Sequence, residues 1–392
     1  MIQLIILAAT TFVLSGAIIL SSKFVPQICG AGDAHLAVQS AHKRPTSRLG
    51  GFAIFIGLLA SLVIVPLDVD GQYGLFLMSA SCLFIVGLAE DLGFKVSPLR
   101  RLLAAMLASL LVVLLLDVWL PRADIPGLDG AIDYWIIGVP LTLLITAGIA
   151  NGFNLIDGVN GLASVTAFAA AFALAVISHN AGYTVMVELA TILAACILGF
   201  FLLNFPYGLI FLGDAGAYTI GFVLSWFGIA VLINVPDASA WAILLTMFWP
   251  VADTMLAIYR RLLRNVSTVA PDRLHVHQLV MRALEIYVLG RGRRHMANPM
   301  TTIVLAPFVF LPPVAGIMLW NRPELAVICF FVFLACFFAL YTLAFQMFRH
   351  LKRRSGFRER IVNQARVFKR TSAHYPIKHF SVLKKKDANA KN

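Results

Sequence analysis

The sequence predicts an all-α, polytopic integral membrane protein with about eleven transmembrane helices. Composition, run length and the placement of basic residues carry that prediction. Of 392 residues, 60% are apolar and only 13% charged, and the mean hydropathy is +0.87. A soluble domain carries roughly 45–50% apolar and about 25% charged residues. The excess lies in long runs that a soluble core does not need, and at these lengths only helices satisfy their own backbone in lipid.

The runs fall at about 1–22, 49–66, 72–89, 102–120, 134–150, 161–178, 185–203, 215–234, 239–257, 301–320 and 324–347. Spanning ~30 Å of hydrocarbon takes ~20 helical residues, with about 17–25 tolerated. The short runs at 49–66 and 134–150 are therefore expected to extend into their polar flanks. The first run has no basic segment before it and no small-residue cleavage site, so it reads as a retained span. A transmembrane domain over 1–347 and a basic tail over 348–392 follow.

Orientation comes from Lys and Arg. The odd-numbered loops and the tail hold 29 of the 31 basic residues; the even loops hold only Arg122 and Arg322. The basic side is the cytoplasm, which puts the N-terminus outside and the C-terminus inside. An odd number of spans agrees. The net charge of +12 is thus topological, and Lys384, Lys385 and Lys386 read as a tail near anionic headgroups. Nucleic-acid binding is not expected. Four of the five cysteines (Cys82, Cys196, Cys329, Cys336; not Cys29) lie in apolar runs, with no CxxC or zinc spacing, so a disulfide framework is not expected.

The polar clusters share that same side. Loop one carries His42-Lys43-Arg44 and runs to Gly50-Gly51. Loop three opens on Glu90-Asp91. Loop five holds Asn151, Asn154, Asp157, Gly158, Asn160 and Gly161. Loop seven reads Phe211-Leu212-Gly213-Asp214-Ala215-Gly216. Loop nine carries Asp272-Arg273-Leu274-His275-Val276-His277-Gln278. Five clusters on one face predict one composite site. Adjacent carboxylates repel and want a cation or a shared proton. Asn154, Asp157 and Asp214 are hard oxygen donors, which suit magnesium, and Lys43 with the loop-nine arginines suits a diphosphate. Each cluster alone also has a plainer reading. Asn154 and Asp157 can mark a hydrogen-bonded helix break, and Asp214 a helix cap. His275 and His277 can be solvent-exposed. Asp253, seven residues before Arg260, reads as a structural pairing or cap.

With these motifs in view, the sequence resembles the bacterial polyprenyl-phosphate N-acetylhexosamine-1-phosphate transferases over roughly residues 1–285. Asn151–Leu162 followed by Phe211–Gly216 is the specific element; Lys43–Gly51 and His275-Val276-His277 add to it. The resemblance implies transfer of a sugar-1-phosphate, GlcNAc-1-phosphate by default, from a UDP-N-acetylhexosamine to undecaprenyl phosphate. UMP leaves, and a cell-envelope polysaccharide such as O-antigen is begun. It implies Mg2+, with Mn2+ as a substitute, in the bacterial cytoplasmic membrane, and it is compatible with a homodimer. On the matching positions, Asn154 and Asp214 are metal-associated. Glu90, Asp91 and Asp157 are catalytic. Lys43, Asn151, Asn160, Phe211, Arg273, His275 and His277 are substrate-binding. The sequence departs from the family pattern at Glu90, Asn160 and Gln278. It lacks the triple histidine of the muramyl-pentapeptide branch, which argues against lipid I synthesis. A secondary transporter would instead place its ionisable residues at mid-membrane, on broken helices in related halves. A non-catalytic scaffold needs no carboxylate and glycine loops together.

Overall fold

Hydropathy places the helices, and punctuation at their ends sets their limits. A computed structural model describes residues 1–24, 46–65, 71–264, 274–290 and 292–346. No strand occurs among the described residues. The helices are α1 (Ile2–Ser22), α2 (Gly50–Ile64), α3 (Gln72–Asp91), α4 (Pro98–Leu116), α5 (Asp129–Ile132), α6 (Trp135–Ile156), α7 (Leu162–Asn180), α8 (Thr184–Asn204), α9 (Gly213–Asn234), α10 (Ala240–Thr246), α11 (Phe248–Arg264), α12 (Val276–Ala283) and α13 (Arg294–Met318). A final helix, α14, covers Pro323–Gln346, and a π-turn over Leu284–Val288 continues α12. The chain divides into Met1–Phe338 and Ala339–Asn392. The predicted tail over 348–392 lies outside the described residues.

The protein is a multi-pass membrane protein. Among the described residues nine helices are long and apolar enough to cross a membrane: α1, α3, α4, α6, α7, α8, α9, α13 and α14. The other two apolar runs behave differently. The run at 49–66 forms only the 15-residue α2, without the expected extension. The run at 239–257 is broken into α10 and α11, bent by 87°. Pro250 sits in the first turn of α11 and has no N–H to donate to Thr246, the last residue of α10, so the helix cannot continue through the joint. Ser239 starts α10 by accepting from the Ala242 N–H at 3.3 Å, and Ser97 starts α4 in the same way with Pro98 behind it.

Helix α9 is the axis of the molecule. It is buried along nearly its whole length and packs against α2, α3, α6 and α7. Lipid tails give helices no hydrophobic reason to associate, so close packing and interhelical hydrogen bonds must hold them together. One such chain runs through the centre: Ser109 Oγ lies 2.5 Å from Thr146 Oγ1 and accepts from Trp226 Nε1 at 3.2 Å. The described polar residues of these clusters gather at the end of the bundle where α3 and α6 finish and α2, α4 and α9 begin.

Candidate active site

The site is built around the N-terminus of α9. Its first amides need acceptors, and Asp91, the last residue of α3, supplies them. The Asp214 N–H donates to Asp91 Oδ1 and the Ala215 N–H to Oδ2, both at 2.8 Å. Asp91 is 1% exposed, so both its oxygens are committed inside the protein. Loop one is stitched to the same place. The Phe211 N–H donates to the Ser47 carbonyl, and the Gly50 and Gly51 N–H groups donate to the Phe211 and Leu212 carbonyls, at 2.8–2.9 Å. Gly213 makes this junction possible. Its φ is +76°, and a Cβ there would fall 2.0 Å from the Arg48 carbonyl oxygen.

Asp214 faces the centre of the cluster. Its Oδ2 pairs with Arg101 Nη1 at 2.5 Å, and its Oδ1 accepts from Asn154 Nδ2 at 3.0 Å. Arg101 also reaches Glu90 Oε1 at 3.7 Å and lies 5.9 Å from the centre of the Tyr218 ring. Glu90 is anchored at its other oxygen by the Val96 N–H at 2.7 Å. Asn151 accepts from the Tyr218 hydroxyl at 3.4 Å. One guanidinium therefore ties together carboxylates from α3 and α9.

Asp157 follows α6 directly. It receives a backbone hydrogen bond from Gly213 and faces Arg48 and Asp214. Burial, reinforced by the Asp214 charge and opposed by Arg48, pushes its carboxyl up to about 7. Glu90, Asp91, Asp157 and Asp214 thus face only two described guanidiniums, those of Arg48 and Arg101.

Loop nine reaches the same site from α11. His275 Nδ1 lies 2.6 Å from Asp253 Oδ2, and the Val276 N–H reaches Asp253 Oδ1 at 3.4 Å. A carboxylate can only accept, so Nδ1 carries the proton. His277 stacks on His275 with ring centres 5.8 Å apart. Its Nε2 presses on loop five, where a Cβ on Gly158 would fall 2.3 Å away. Both His277 ring nitrogens are buried without a hydrogen-bond partner. Burial lowers its pKa to about 4, so the ring is neutral.

Residues 73–232 match the family model described as glycosyl transferase family 4. This stretch of the chain is similar to that family. It is 28% identical over 266 residues to a protein of Bacillus subtilis (strain 168) named "Probable undecaprenyl-phosphate N-acetylglucosaminyl 1-phosphate transferase", covering 64% of this chain and 72% of that one. It is 28% identical over 248 residues to the "Undecaprenyl-phosphate alpha-N-acetylglucosaminyl 1-phosphate transferase" of Escherichia coli (strain K12), covering 60% and 65%. It is 26% identical over 274 residues to the "Decaprenyl-phosphate N-acetylglucosaminephosphotransferase" of Mycolicibacterium smegmatis, covering 62% and 67%. The chain therefore matches about two thirds of the length of these relatives.

Of the residues singled out in the sequence, Glu90, Asp91, Asn154, Asp157 and Asp214 meet at one place, with Phe211 and Asn151 beside them. Lys43 and Arg273 lie outside the described residues. Asn160 sits apart from the carboxylates. It is 2% exposed, its side-chain amide donates to the Pro206 carbonyl, and its backbone binds Asn298 and Thr302 of α13. His275 and His277 are buried, which excludes the solvent-exposed alternative. Asp253 pairs with His275.

Four residues carry more than the sequence suggested. Arg101 read there only as a marker of topology, Arg48 only as part of the loop-one stretch, and Tyr218 carried no signal. Asp253 did: an ionisable residue inside an apolar run is a functional-site candidate by default. Asn151 and Asn154 lie on the last turns of α6, and Asp214 on the first turn of α9, so the polar loops are shorter than the motifs.

Among the described residues no group of three or more His, Cys, Asp or Glu forms a ready-made metal cage. Asp214 and Asn154, with Asp157 nearby, instead match the open set of hard oxygens that magnesium shares with substrate phosphates. The Arg101 guanidinium on Asp214 marks the position where positive charge is stabilised.

Proposed function

We propose that the protein transfers N-acetylhexosamine-1-phosphate, by default GlcNAc-1-phosphate, from a UDP-sugar to undecaprenyl phosphate. UMP is released, and the product begins a cell-envelope polysaccharide such as O-antigen. The observation that carries this reading is the convergence of Glu90, Asp91, Asn154, Asp157 and Asp214 at one end of an apolar helix bundle. That end lies where a lipid phosphate at a headgroup plane can meet a water-soluble nucleotide sugar. The names of the relatives point to the same acceptor and the same kind of transferred group. The proposed setting is the bacterial cytoplasmic membrane with the site on the cytoplasmic side, from the distribution of basic residues.

In the reaction, an oxygen of the lipid phosphate attacks the phosphorus that carries the sugar. A new P–O bond joins the two phosphates, and the bond from that phosphorus to the bridging oxygen breaks. The electron pair leaves with UMP. Asp157 is the residue proposed to orient the attacking phosphate and take its proton when it arrives as the monoanion. Asp91 is committed to the α9 amides, which leaves Asp157, beside Gly213 and Asp214, as the carboxylate placed for that work. Arg101, held between Glu90 and Asp214, stabilises negative charge on the diphosphate and on departing UMP. Asp214 and Asn154 are the residues proposed to hold Mg2+, or Mn2+ in its place. When bound, the ion neutralises phosphate charge during in-line displacement. The loop-nine residues would contact the donor.

Purified protein incubated with undecaprenyl phosphate and a panel of UDP-N-acetylhexosamines tests the reading. The expected result is UMP release together with a lipid product heavier by one HexNAc-phosphate. Absence of lipid product with every donor, from folded protein supplied with magnesium, rejects it.

A further inference from the structure

Asp253 and His275 form a buried pair that the proposed reaction does not yet use. They are 1% and 3% exposed and 2.6 Å apart. They belong to different elements: Asp253 to the rigid α11, and His275 to the residue that begins α12. The carboxylate takes two contacts from loop nine at once, the imidazole and the Val276 N–H. A histidine gripped this way is fixed in tautomer and ring orientation, as in sites where a carboxylate orients a working imidazole. The grip passes on. His275 stacks on His277, and His277 rests against Gly158, next to Asp157. Removing the anchor frees the start of α12 and, with it, the wedge against loop five.

We infer that Asp253 is a positioning residue. It holds His275 and His277 against the Asp157–Gly158 turn, so that loop nine and loop five bind the nucleotide sugar as one unit. The inference rests on the transfer reaction proposed above, for which it names a donor-side determinant. It predicts a particular kinetic split. Loss of the anchor is expected to weaken the donor side and spare the lipid side, because the contacts of the pair run to His277 and, through it, to Gly158. Asparagine keeps the shape of aspartate but turns one acceptor into a donor, so it can keep both contacts only by forcing His275 into the other tautomer and giving up the charge.

The test uses the full chain in detergent with Asp253→Asn, His275→Gln and the double variant. Asp253→Asn is expected to raise KM for UDP-GlcNAc by about ten-fold or more, while KM for undecaprenyl phosphate stays within about two-fold. The double variant is expected to be no worse than the more impaired single one, because the two side chains act as a unit. Amide hydrogen exchange, read by mass spectrometry, is expected to quicken over residues 274–283 and 155–161 and to stay unchanged in α3 and α9. A donor KM within about two-fold of wild type overturns the inference, as do additive effects in the double variant. Exchange that quickens uniformly across the bundle also overturns it, since that is the signature of a merely structural residue. If the wild type makes no lipid product with any donor, the proposed reaction fails, and the exchange pattern still decides whether Asp253 couples the two loops.

Discussion

Asp91 and Asp214 stand 2.8 Å apart through a single hydrogen bond, yet they are expected to fail in opposite ways when each is changed to asparagine. In Asp91→Asn one carboxylate oxygen becomes an NH2 group facing a backbone N–H. One of the two α9 amides then loses its acceptor at a position only 1% exposed. A hydrogen bond to a charged group contributes about 1.5–3 kcal/mol, and a stranded buried donor costs about 1–3 kcal/mol. Relief from burying a carboxylate offsets part of this, leaving a loss of about 2–4 kcal/mol in stability. In Asp214→Asn the ion pair to Arg101 weakens, but the new side chain still offers an acceptor to Arg101, and the partners are 12% and 18% exposed. Glu90 remains 3.7 Å from Arg101, so the stability cost of this variant is expected at about 1–2 kcal/mol, below the roughly 3–5 kcal/mol of a buried charge left wholly unpaired. Its turnover is expected to drop by at least ~100-fold, about 2.7 kcal/mol of transition-state stabilisation. Melting in detergent and UMP release, measured on the same preparations, separate the two. If Asp214→Asn melts below Asp91→Asn, or if Asp91→Asn melts with the wild type, the capping assignment is wrong. If Asp214→Asn is stable and turns over normally, Asp214 does not hold the ion.

Further expectations follow from individual residues. Chelation with EDTA is expected to abolish transfer and added Mg2+ or Mn2+ to restore it; full activity in chelator with metal verified absent refutes the assignment of Asn154 and Asp214. His277 has a folded-state pKa lowered from 6.5 to about 4, so the unfolded chain takes up its proton first as pH falls. Its contribution is intact above pH 6.5 and is lost between 6.5 and about 4, a loss of about 3 kcal/mol in all. His277→Gln is expected to flatten the fall of melting temperature over that window, and an unchanged slope refutes this. Cysteines introduced at positions 128 and 280 of a variant lacking the native ones are expected to label from outside and inside respectively; labelling of 280 from the outer face contradicts the orientation read from the basic residues.

Much of the architecture was legible because lipid imposes a one-dimensional rule. A run of some twenty apolar residues has few options but to be a helix, and each of the nine long helices falls on a predicted run. The composite site was legible in the same way, since five polar clusters on one face of such a bundle have only one surface to share. What hydropathy does not register is where a helix stops once it leaves hydrocarbon. Of the two short runs expected to extend into their polar flanks, the one at 134–150 does, carrying Asn151 and Asn154 on α6, and the one at 49–66 does not, a difference that hydropathy does not register. Nor does hydropathy detect the 87° break after Thr246, which depends on the missing N–H of Pro250.

Partners across the fold were harder to see, because a short motif records residue types and not the acceptor each will find. Asp91 reads in sequence as one of a repelling pair, and becomes a cap only because α3 ends beside the start of α9. Asn160 shows the limit most clearly. Its place among the glycines and carboxylates of loop five suggested substrate contact. The partner that decides its role is Asn298, 138 residues away on α13, beyond the stretch in which the family resemblance is read. With Thr302 on its carbonyl and Pro206 on its side chain, Asn160 fastens loop five to α13. The same loop carries Asp157 three residues earlier, at the end of α6. These bonds tie the turn that follows Asp157 to α13, a part in the fold that the motif did not show.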